Sequence, residues 1–90
     1  MSKNEEKTIL ILGAGIEQTL AIQEARKLKL KVIACDNNPD AVGLKIADIG
    51  IHADIRNIRK LVEIGRHYKI NGIFCHAVEI PQGQGVARWY

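Results

Sequence analysis

The sequence has few cysteines, few aromatic residues and no long apolar stretch, and each shortage excludes a class of protein. It contains two cysteines, one Trp, two Tyr and one Phe among 90 residues. Two cysteines cannot form the dense disulfide framework of small secreted domains. No apolar run approaches the roughly 20 residues that a membrane-spanning helix requires. The polar, charged residues 1–7 are unlike a signal peptide. We therefore predict one cytoplasmic domain with no membrane partner.

The charge of the chain is mild and spread out. The formal net charge is +3, with 47% hydrophobic and 26% charged residues, which is ordinary for a globular protein. Nucleic-acid-binding surfaces commonly have a stripe of basic residues with interleaved aromatics, and this sequence has none. We therefore predict no nucleic-acid partner.

An apolar run followed by a glycine turn is the central motif. Residues 8–12 are apolar or β-favouring without alternation, which is typical of a strand buried on both faces of a parallel sheet. Gly13-Ala14-Gly15 then leads directly into an amphipathic stretch. Such a turn directs backbone N–H groups and the positive end of a helix dipole toward one point. Gly13, Ala14 and Gly15 are therefore candidates for binding a phosphate or carboxylate. The alternative is a turn that uses glycine only for its geometry.

Two further residues bear on the kind of ligand. Gln18 stands where the dinucleotide-binding pattern G-x-G-x-x-G has its third glycine, which weakens an NAD or FAD interpretation. Asp36 lies about 20 residues beyond the turn, where a ribose-binding carboxylate sits in Rossmann domains. It also opens the turn-forming stretch 37–40, so an Asx-type turn is the alternative role.

Strand and helix patterns alternate along the rest of the chain. We predict strands at 8–12, 30–35, 49–52 and 73–75, helices at 16–28 and 58–68, and one helical turn at 44–47. Right-handed crossovers then give an α/β fold: a Rossmann-like three-layer arrangement with a parallel sheet of order 3-2-1-4. The helix residues expected to face the sheet are Ile16, Leu20, Ala21, Ala25 and Leu28 in the first helix, and Ile58, Leu61, Val62, Gly65 and Tyr68 in the second.

The predicted topology places a ligand crevice between the first and fourth strands, at their carboxyl ends. Glu79 follows the fourth strand and could hold an amine or hydroxyl of a ligand; the alternative is that it caps a helix beginning near Pro81. Cys35 and Cys75 end strands that another strand separates, too far apart for a disulfide. We predict two buried, reduced thiols, no catalytic residue and no metal site.

Several segments together resemble the N-terminal domain of ATP-grasp enzymes. They are ILILGAGIEQ (9–18), KVIACDNNPDAVGLKIAD (31–48), HYKINGIFC (67–75) and AVEIPQ (77–82). The likeness is greatest to carbamoyl phosphate synthase large-subunit-like and carboxyaminoimidazole ribonucleotide synthetase-like members. It covers about residues 7–82 and is carried by the combination G-A-G-x-x-Q, D-x-N-P-D-A-x-G and E-I-P.

This resemblance implies a Rossmann-like domain that precedes the ATP-grasp fold of a carboxylate–amine ligase. In that family ATP and magnesium are held by later domains, so we expect no cofactor on this chain and no catalysis by it alone. The glycine turn and the carboxylate after the fourth strand would contribute to the site of a small co-substrate that bears a phosphate or carboxylate. The alternatives are a small nucleotide- or dinucleotide-binding module, and a docking or structural remnant without a ligand.

The final residues depart from the family pattern. After Gln82 the family continues with a helix and a strand, whereas residues 83–90 contain two glycines and end. We therefore expect a pre-ATP-grasp domain at 1–82 with a tail at 83–90, truncated after the fourth strand. An edge strand with incomplete cover favours association, so we expect a homodimer or docking to other ligase domains.

Overall fold

A computed structural model describes residues 6–75. In chain order the elements are β1 (Thr8–Leu12), α1 (Ile16–Lys27), β2 (Lys31–Asp36), α2 (Val42–Ile46), β3 (Ile49–His52), α3 (Ile58–Tyr68) and β4 (Gly72–Cys75). The strands form one sheet of order β3-β2-β1-β4, and every neighbouring pair is parallel. The predicted α/β class, strand order and Rossmann-like arrangement are confirmed.

Helices cover both faces of the sheet, because alternate residues of a strand point to opposite sides. On one face, Ile22 and Ala25 of α1 pack with Ile11 of β1 and Ala34 of β2, and α2 joins them through Leu44 and Ile46. The opposite face holds a second core that includes α3; its buried members are Leu10, Ile33, Cys35, Ala53, Leu61 and Ile64. The result is three layers: α1 and α2, the sheet, and α3.

The face of α1 that packs on the sheet differs from the prediction. Ala25 is buried as expected and Ala21 is half-buried, but Ile16, Leu20 and Leu28 are 78%, 64% and 70% exposed. The buried stripe consists of Gln18, Ile22 and Ala25. This side of α1 faces the sheet because the preceding turn fixes the rotation of the helix and directs the side chain of Gln18 inward. A polar residue on the buried stripe concealed that face in the sequence.

The prediction for α3 is closer to the structure. Leu61 and Gly65 are buried as expected, and Val62 and Tyr68 are half-buried. Ile58, however, is 65% exposed, and the buried Ile64 was not predicted. Ile58 lies in the first turn of the helix and packs in neither of the two cores.

The short helix α2 begins two residues earlier than the predicted helical turn at 44–47. Its position depends on a close approach to the β1–α1 turn, where the Gly43 N–H donates to the Ala14 carbonyl oxygen at 2.7 Å. A Cβ at Gly43 would lie 2.6 Å from that same oxygen, so no larger residue fits without a shift. Gly50 of β3 is restricted in the same way by the carbonyl of Leu44.

The two cysteines are free, as predicted, but only Cys35 is buried; Cys75 is half-buried, because it lies on the edge strand β4. Cys35 of β2 and Cys75 of β4 both pair in register with Leu12 of the intervening β1. Cys35 is fully buried, and burial, reinforced by the negative charge of Asp36, raises the pKa of its thiol from 9.0 to about 11. Burial also raises the pKa of the Cys75 thiol. Both groups are therefore protonated near neutral pH.

Candidate functional site

The β1–α1 turn lies at the carboxyl end of the sheet, where ligands of open α/β proteins bind. Gly13 has φ +100°, a conformation that side chains other than glycine rarely adopt. Gly15 is the N-cap of α1 in extended conformation, with φ −74°. The requirement for glycine is thus conformational at Gly13, while Gly15 has an ordinary backbone.

Three successive N–H groups of this turn are already hydrogen-bonded within the protein. The Gly13 N–H donates to the Cys35 carbonyl oxygen at 2.7 Å, and the Ala14 N–H donates to Asp36 Oδ2 at 2.6 Å. The Gly15 N–H donates to Gln18 Oε1 at 2.9 Å. The part of the turn predicted to attract an anion therefore has acceptors supplied by neighbouring residues.

Asp36 connects this turn to the loop after β2. While its Oδ2 accepts from Ala14, its Oδ1 accepts from the Asn38 N–H at 2.8 Å. The second contact, two residues along the chain, is an Asx turn, so that alternative from the sequence is confirmed. A role of Asp36 toward the ribose of a ligand stays a prediction.

Gln18 is 6% exposed and its side chain folds back over the turn. Beyond accepting from the Gly15 N–H, its carboxamide carbon lies 3.4 Å from the position that a Cβ on Gly13 would occupy. The backbone N–H of Gln18 in turn donates to the Gly15 carbonyl oxygen at 3.0 Å. The side-chain contact is one half of a capping box, in which Glu or Gln at the third helical position bonds the N-cap backbone.

This capping role of Gln18 was not predicted from the sequence, where the residue marked only the place of an absent third glycine. The spacing from Gly15 to Gln18 is the capping-box spacing, and it was a usable signal. The signal was obscured because the N-cap residue is glycine, which lacks the hydroxyl or carboxylate that normally completes the pattern.

The next two N–H groups along the chain, those of Ile16 and Glu17, are the ones that could bind an anion at this turn. They belong to the first turn of α1, where backbone N–H groups have no carbonyl partner within the helix. The helix dipole makes this end favourable for negative charge. Glu17 itself brings a carboxylate to the same place, since its Oε1 lies 3.1 Å from the position of a Cβ on Gly15. A bound anion would therefore compete with Glu17.

A second polar link lies at the carboxyl ends of β2 and β3. Asn37 Oδ1 accepts from the Ile55 N–H, and Asn37 Nδ2 donates to Asp54 Oδ1, both at 3.2 Å. Asp54 Oδ1 also accepts from the Arg56 N–H at 2.9 Å. Chiefly through that backbone hydrogen bond, the pKa of the Asp54 carboxyl is held below its ordinary value of 3.8. Together with Asp36, Asn37 therefore connects the loops that follow β1, β2 and β3.

Of the predicted site residues, the structure brings Gly13, Ala14, Gly15, Gln18 and Asp36 together at this turn. Glu79 lies outside the described residues, as does the boundary predicted at 82. Within residues 6–75, no group of three or more His, Cys, Asp or Glu side chains is placed to hold a metal ion. No helix in that range is long and apolar enough to cross a membrane.

The fold and the turn together define a Rossmann-like α/β unit with a candidate anion site at the carboxyl end of β1. No family model matches the chain. Over 64 residues it is 38% identical to the formate-dependent phosphoribosylglycinamide formyltransferase of Prochlorococcus marinus. That stretch is 70% of this chain but 16% of the relative, so the chain spans less than a fifth of the relative's length.

The relative is an ATP-grasp enzyme, and the similarity supports a relationship of this chain to the ATP-grasp family. It supports no narrower group. The likeness to carbamoyl phosphate synthase and to carboxyaminoimidazole ribonucleotide synthetase therefore stays a prediction.

Proposed function

We propose that residues 1–82 form the N-terminal, substrate-side domain of an ATP-grasp carboxylate–amine ligase, a domain that is not catalytic by itself and is followed by a tail at 83–90. The observation that carries the proposal is the 38% identity to an ATP-grasp enzyme over 64 residues. The cytoplasm is the compartment we expect for such an enzyme.

The topology supports a substrate site at the turn. From β1 the chain moves through α1 to β2 on one side, while β4 lies on the other side of β1. The strand order thus changes direction between β1 and β4, and α/β proteins bind ligands at such a point. Gly13–Gly15, Gln18 and Asp36 border this point, and we propose that Glu79 completes it from the segment after β4.

The chemistry of the turn favours a small ligand with a phosphate or carboxylate. Such a group would accept from the N–H groups of Ile16 and Glu17 at the positive end of α1. The name of the relative, phosphoribosylglycinamide formyltransferase, describes a substrate that carries both a phosphate and an amine. We propose a substrate of this kind, with Glu79 toward the amine. ATP and magnesium would bind to other domains of the complete ligase.

Amide chemical-shift titration of the isotope-labelled chain tests the site. Phosphoribosylglycinamide should produce saturable shifts at the amides of Ile16 and Glu17, and glycinamide alone should produce none there. Ile16→Glu should weaken binding, because it adds a negative charge at the helix start where the side chain is 78% exposed. Leu20→Glu, one turn further and 64% exposed, is the matched control and should bind as the unchanged chain does.

The same titration separates the alternatives. If NAD or AMP saturates the turn and phosphoribosylglycinamide does not, the chain is a nucleotide-binding module. If no phosphate-bearing probe gives saturable shifts at this turn, the substrate-side role is wrong and a docking or structural role stands in its place.

We also propose that the chain associates with a second copy or with the remaining ligase domains through β4. Within residues 6–75, β4 is an edge of the sheet, and Phe74 on it is 37% exposed. Exposed edges with apolar residues pair readily with another chain. Light scattering over a dilution series should show a concentration-dependent increase in mass, and a constant monomer mass at high concentration would rule out the homodimer.

A further inference from the structure

We propose that Gln18 is a specificity-determining residue that keeps the β1–α1 turn closed to diphosphate groups. In the dinucleotide-binding pattern, the second glycine lets a pyrophosphate approach the backbone and the third allows close packing of helix and strand. Here Gly13 and Gly15 are present, but the space beside them contains the carboxamide of Gln18. The turn therefore has the backbone of a diphosphate site without the free space and free donor that such a site requires.

One obstacle to a diphosphate is that the Gly15 N–H donor is already occupied. The Gly15 N–H is the group nearest the start of α1 that a diphosphate would contact in this turn, and it donates to Gln18 Oε1 at 2.9 Å. Only 6% of Gln18 is exposed, so its carboxamide is held against the turn rather than extended into solvent. An incoming diphosphate would have to displace an acceptor that is already in place, and the displacement would break other contacts of a buried side chain.

A second obstacle is that the space beside the glycines is already filled. The three atoms nearest the Cβ position of Gly13 all belong to the Gln18 side chain: Cδ at 3.4 Å, Nε2 at 3.5 Å and Cγ at 3.7 Å. The volume above Gly13 that glycine leaves open is thus filled by Gln18. At Gly15, the second glycine, the Cβ position lies 3.4 Å from Gln18 Oε1 and 3.1 Å from Glu17 Oε1. Side chains of the same chain therefore lie where dinucleotide-binding proteins admit the ligand.

A third contact acts in the same direction. Asp36 Oδ2 accepts from the Ala14 N–H at 2.6 Å, which places a carboxylate beside the donor between the two glycines. A negatively charged diphosphate would meet this like charge at close range. The expected discrimination is therefore against a diphosphate at Gly13–Gly15.

The test replaces the carboxamide and leaves the backbone of the turn unchanged. Gln18→Ala should free the Gly15 N–H and empty the space above Gly13, and inorganic pyrophosphate is the probe. By calorimetry and amide shifts, the unchanged chain should show no saturable pyrophosphate binding at Gly13–Gly15. The variant should bind at least roughly tenfold more tightly. Gln23→Ala, at an exposed glutamine on the same helix, is the matched control and should not gain binding.

Hydrogen exchange provides a readout that needs no ligand. The Gly15 amide should be protected in the unchanged chain and in Gln23→Ala, and should exchange faster in Gln18→Ala while the amides of β1 and β2 keep their protection. If Gln18→Ala remains folded and gains no pyrophosphate binding, Gln18 is a helix cap only and the proposal is wrong. It is equally wrong if the unchanged chain binds pyrophosphate as tightly as the variant.

Closure of the turn does not depend on the proposed ligase role, so the two can fail separately. Failure of phosphoribosylglycinamide to bind would remove the substrate-side function and leave the effect of Gln18 on pyrophosphate untouched. Failure of pyrophosphate to distinguish the variants would remove the role of Gln18 and leave the proposed substrate site intact.

Discussion

The helices α1 and α3 cover opposite faces of one sheet, yet they use their apolar residues differently. In α3 the buried Leu61 and Ile64 pack against the strands. In α1 the large apolar residues Ile16, Leu20 and Leu28 are exposed, and the buried stripe starts with a glutamine. The difference teaches that a helix attached to a constrained turn takes its rotation from the turn, whereas α3 orients largely by its own apolar pattern.

The starts of the two helices explain this difference. Asn57 caps α3 in the ordinary way, because its side-chain oxygen accepts from the Lys60 N–H at 3.1 Å. In α1 the N-cap is Gly15, so the capping side chain comes from inside the helix, from Gln18. The position of Gln18 over the turn then fixes which side of α1 meets the sheet.

The largest expected effect comes from core substitutions, which test whether α1 and α3 are buried through the residues named above. Leu61→Ala in α3 and Ile22→Ala in α1 should each lower the free energy of unfolding by about 2–5 kcal/mol, because both side chains are almost fully buried. Leu20→Ala should change it by less than about 0.5 kcal/mol, since surface substitutions have small effects. Urea denaturation measures all three. A loss for Leu20→Ala equal to that for Ile22→Ala would show that α1 packs with its other face.

A smaller effect concerns pH and the core on the α3 side. The pKa of the Cys35 thiol is raised to about 11 in the folded chain, from 9.0. The unfolded chain thus loses this proton first, and stability that is complete below pH 9 should fall as the pH rises toward 11. The loss should be on the order of 2 kcal/mol relative to Cys35→Ala, which lacks the group. Urea denaturation of both chains from about pH 8 to about pH 11 measures the difference.

The comparison with Cys35→Ala removes the contribution of lysines and tyrosines that titrate in the same range. Parallel alkaline curves for the two chains would contradict the prediction. They would mean that the buried thiol ionises as easily in the folded chain as in the unfolded one.

The smallest effect concerns the cap of α3. Asn57→Ala removes the acceptor of the Lys60 N–H and should cost about 1 kcal/mol, the usual value for an N-cap. Arg59→Ala, on the exposed side of the same helix, is the control and should be nearly neutral. Thermal denaturation with matched buffers measures both. If Asn57→Ala were as neutral as its control, α3 would start without help from its cap.

Much of the fold could be predicted from local patterns. The bounds of β1, β3 and α3 agree with those expected from the sequence, and the ends of α1, β2 and β4 differ by at most one residue. Continuous apolar runs such as Val32-Ile33-Ala34 indicate strands buried on both faces, and short connections with right-handed crossovers then leave few possible sheets. The strand order followed from these rules.

The candidate site was only partly predictable. The glycines and Asp36 could be recognised, because glycine permits a sharp turn after a strand and Asp36 begins a turn-forming stretch. The sequence could not indicate that Ala14 donates to Asp36, 22 residues away, or that Gly43 must approach the Ala14 carbonyl. Those contacts depend on how β1 and β2 are paired and on where α2 packs.

By itself, the sequence determined the class of fold, the order of the strands and the location of a glycine turn at the carboxyl end of β1. Periodicity and turn chemistry act over a few residues, so they can be recognised in a linear chain. Only the tertiary structure decided which face of α1 meets the sheet and that Asp36 occupies the Ala14 donor. Both depend on segments whose relative positions exist only after the sheet has formed, whereas the contact of Gln18 with Gly15 spans three residues of the chain.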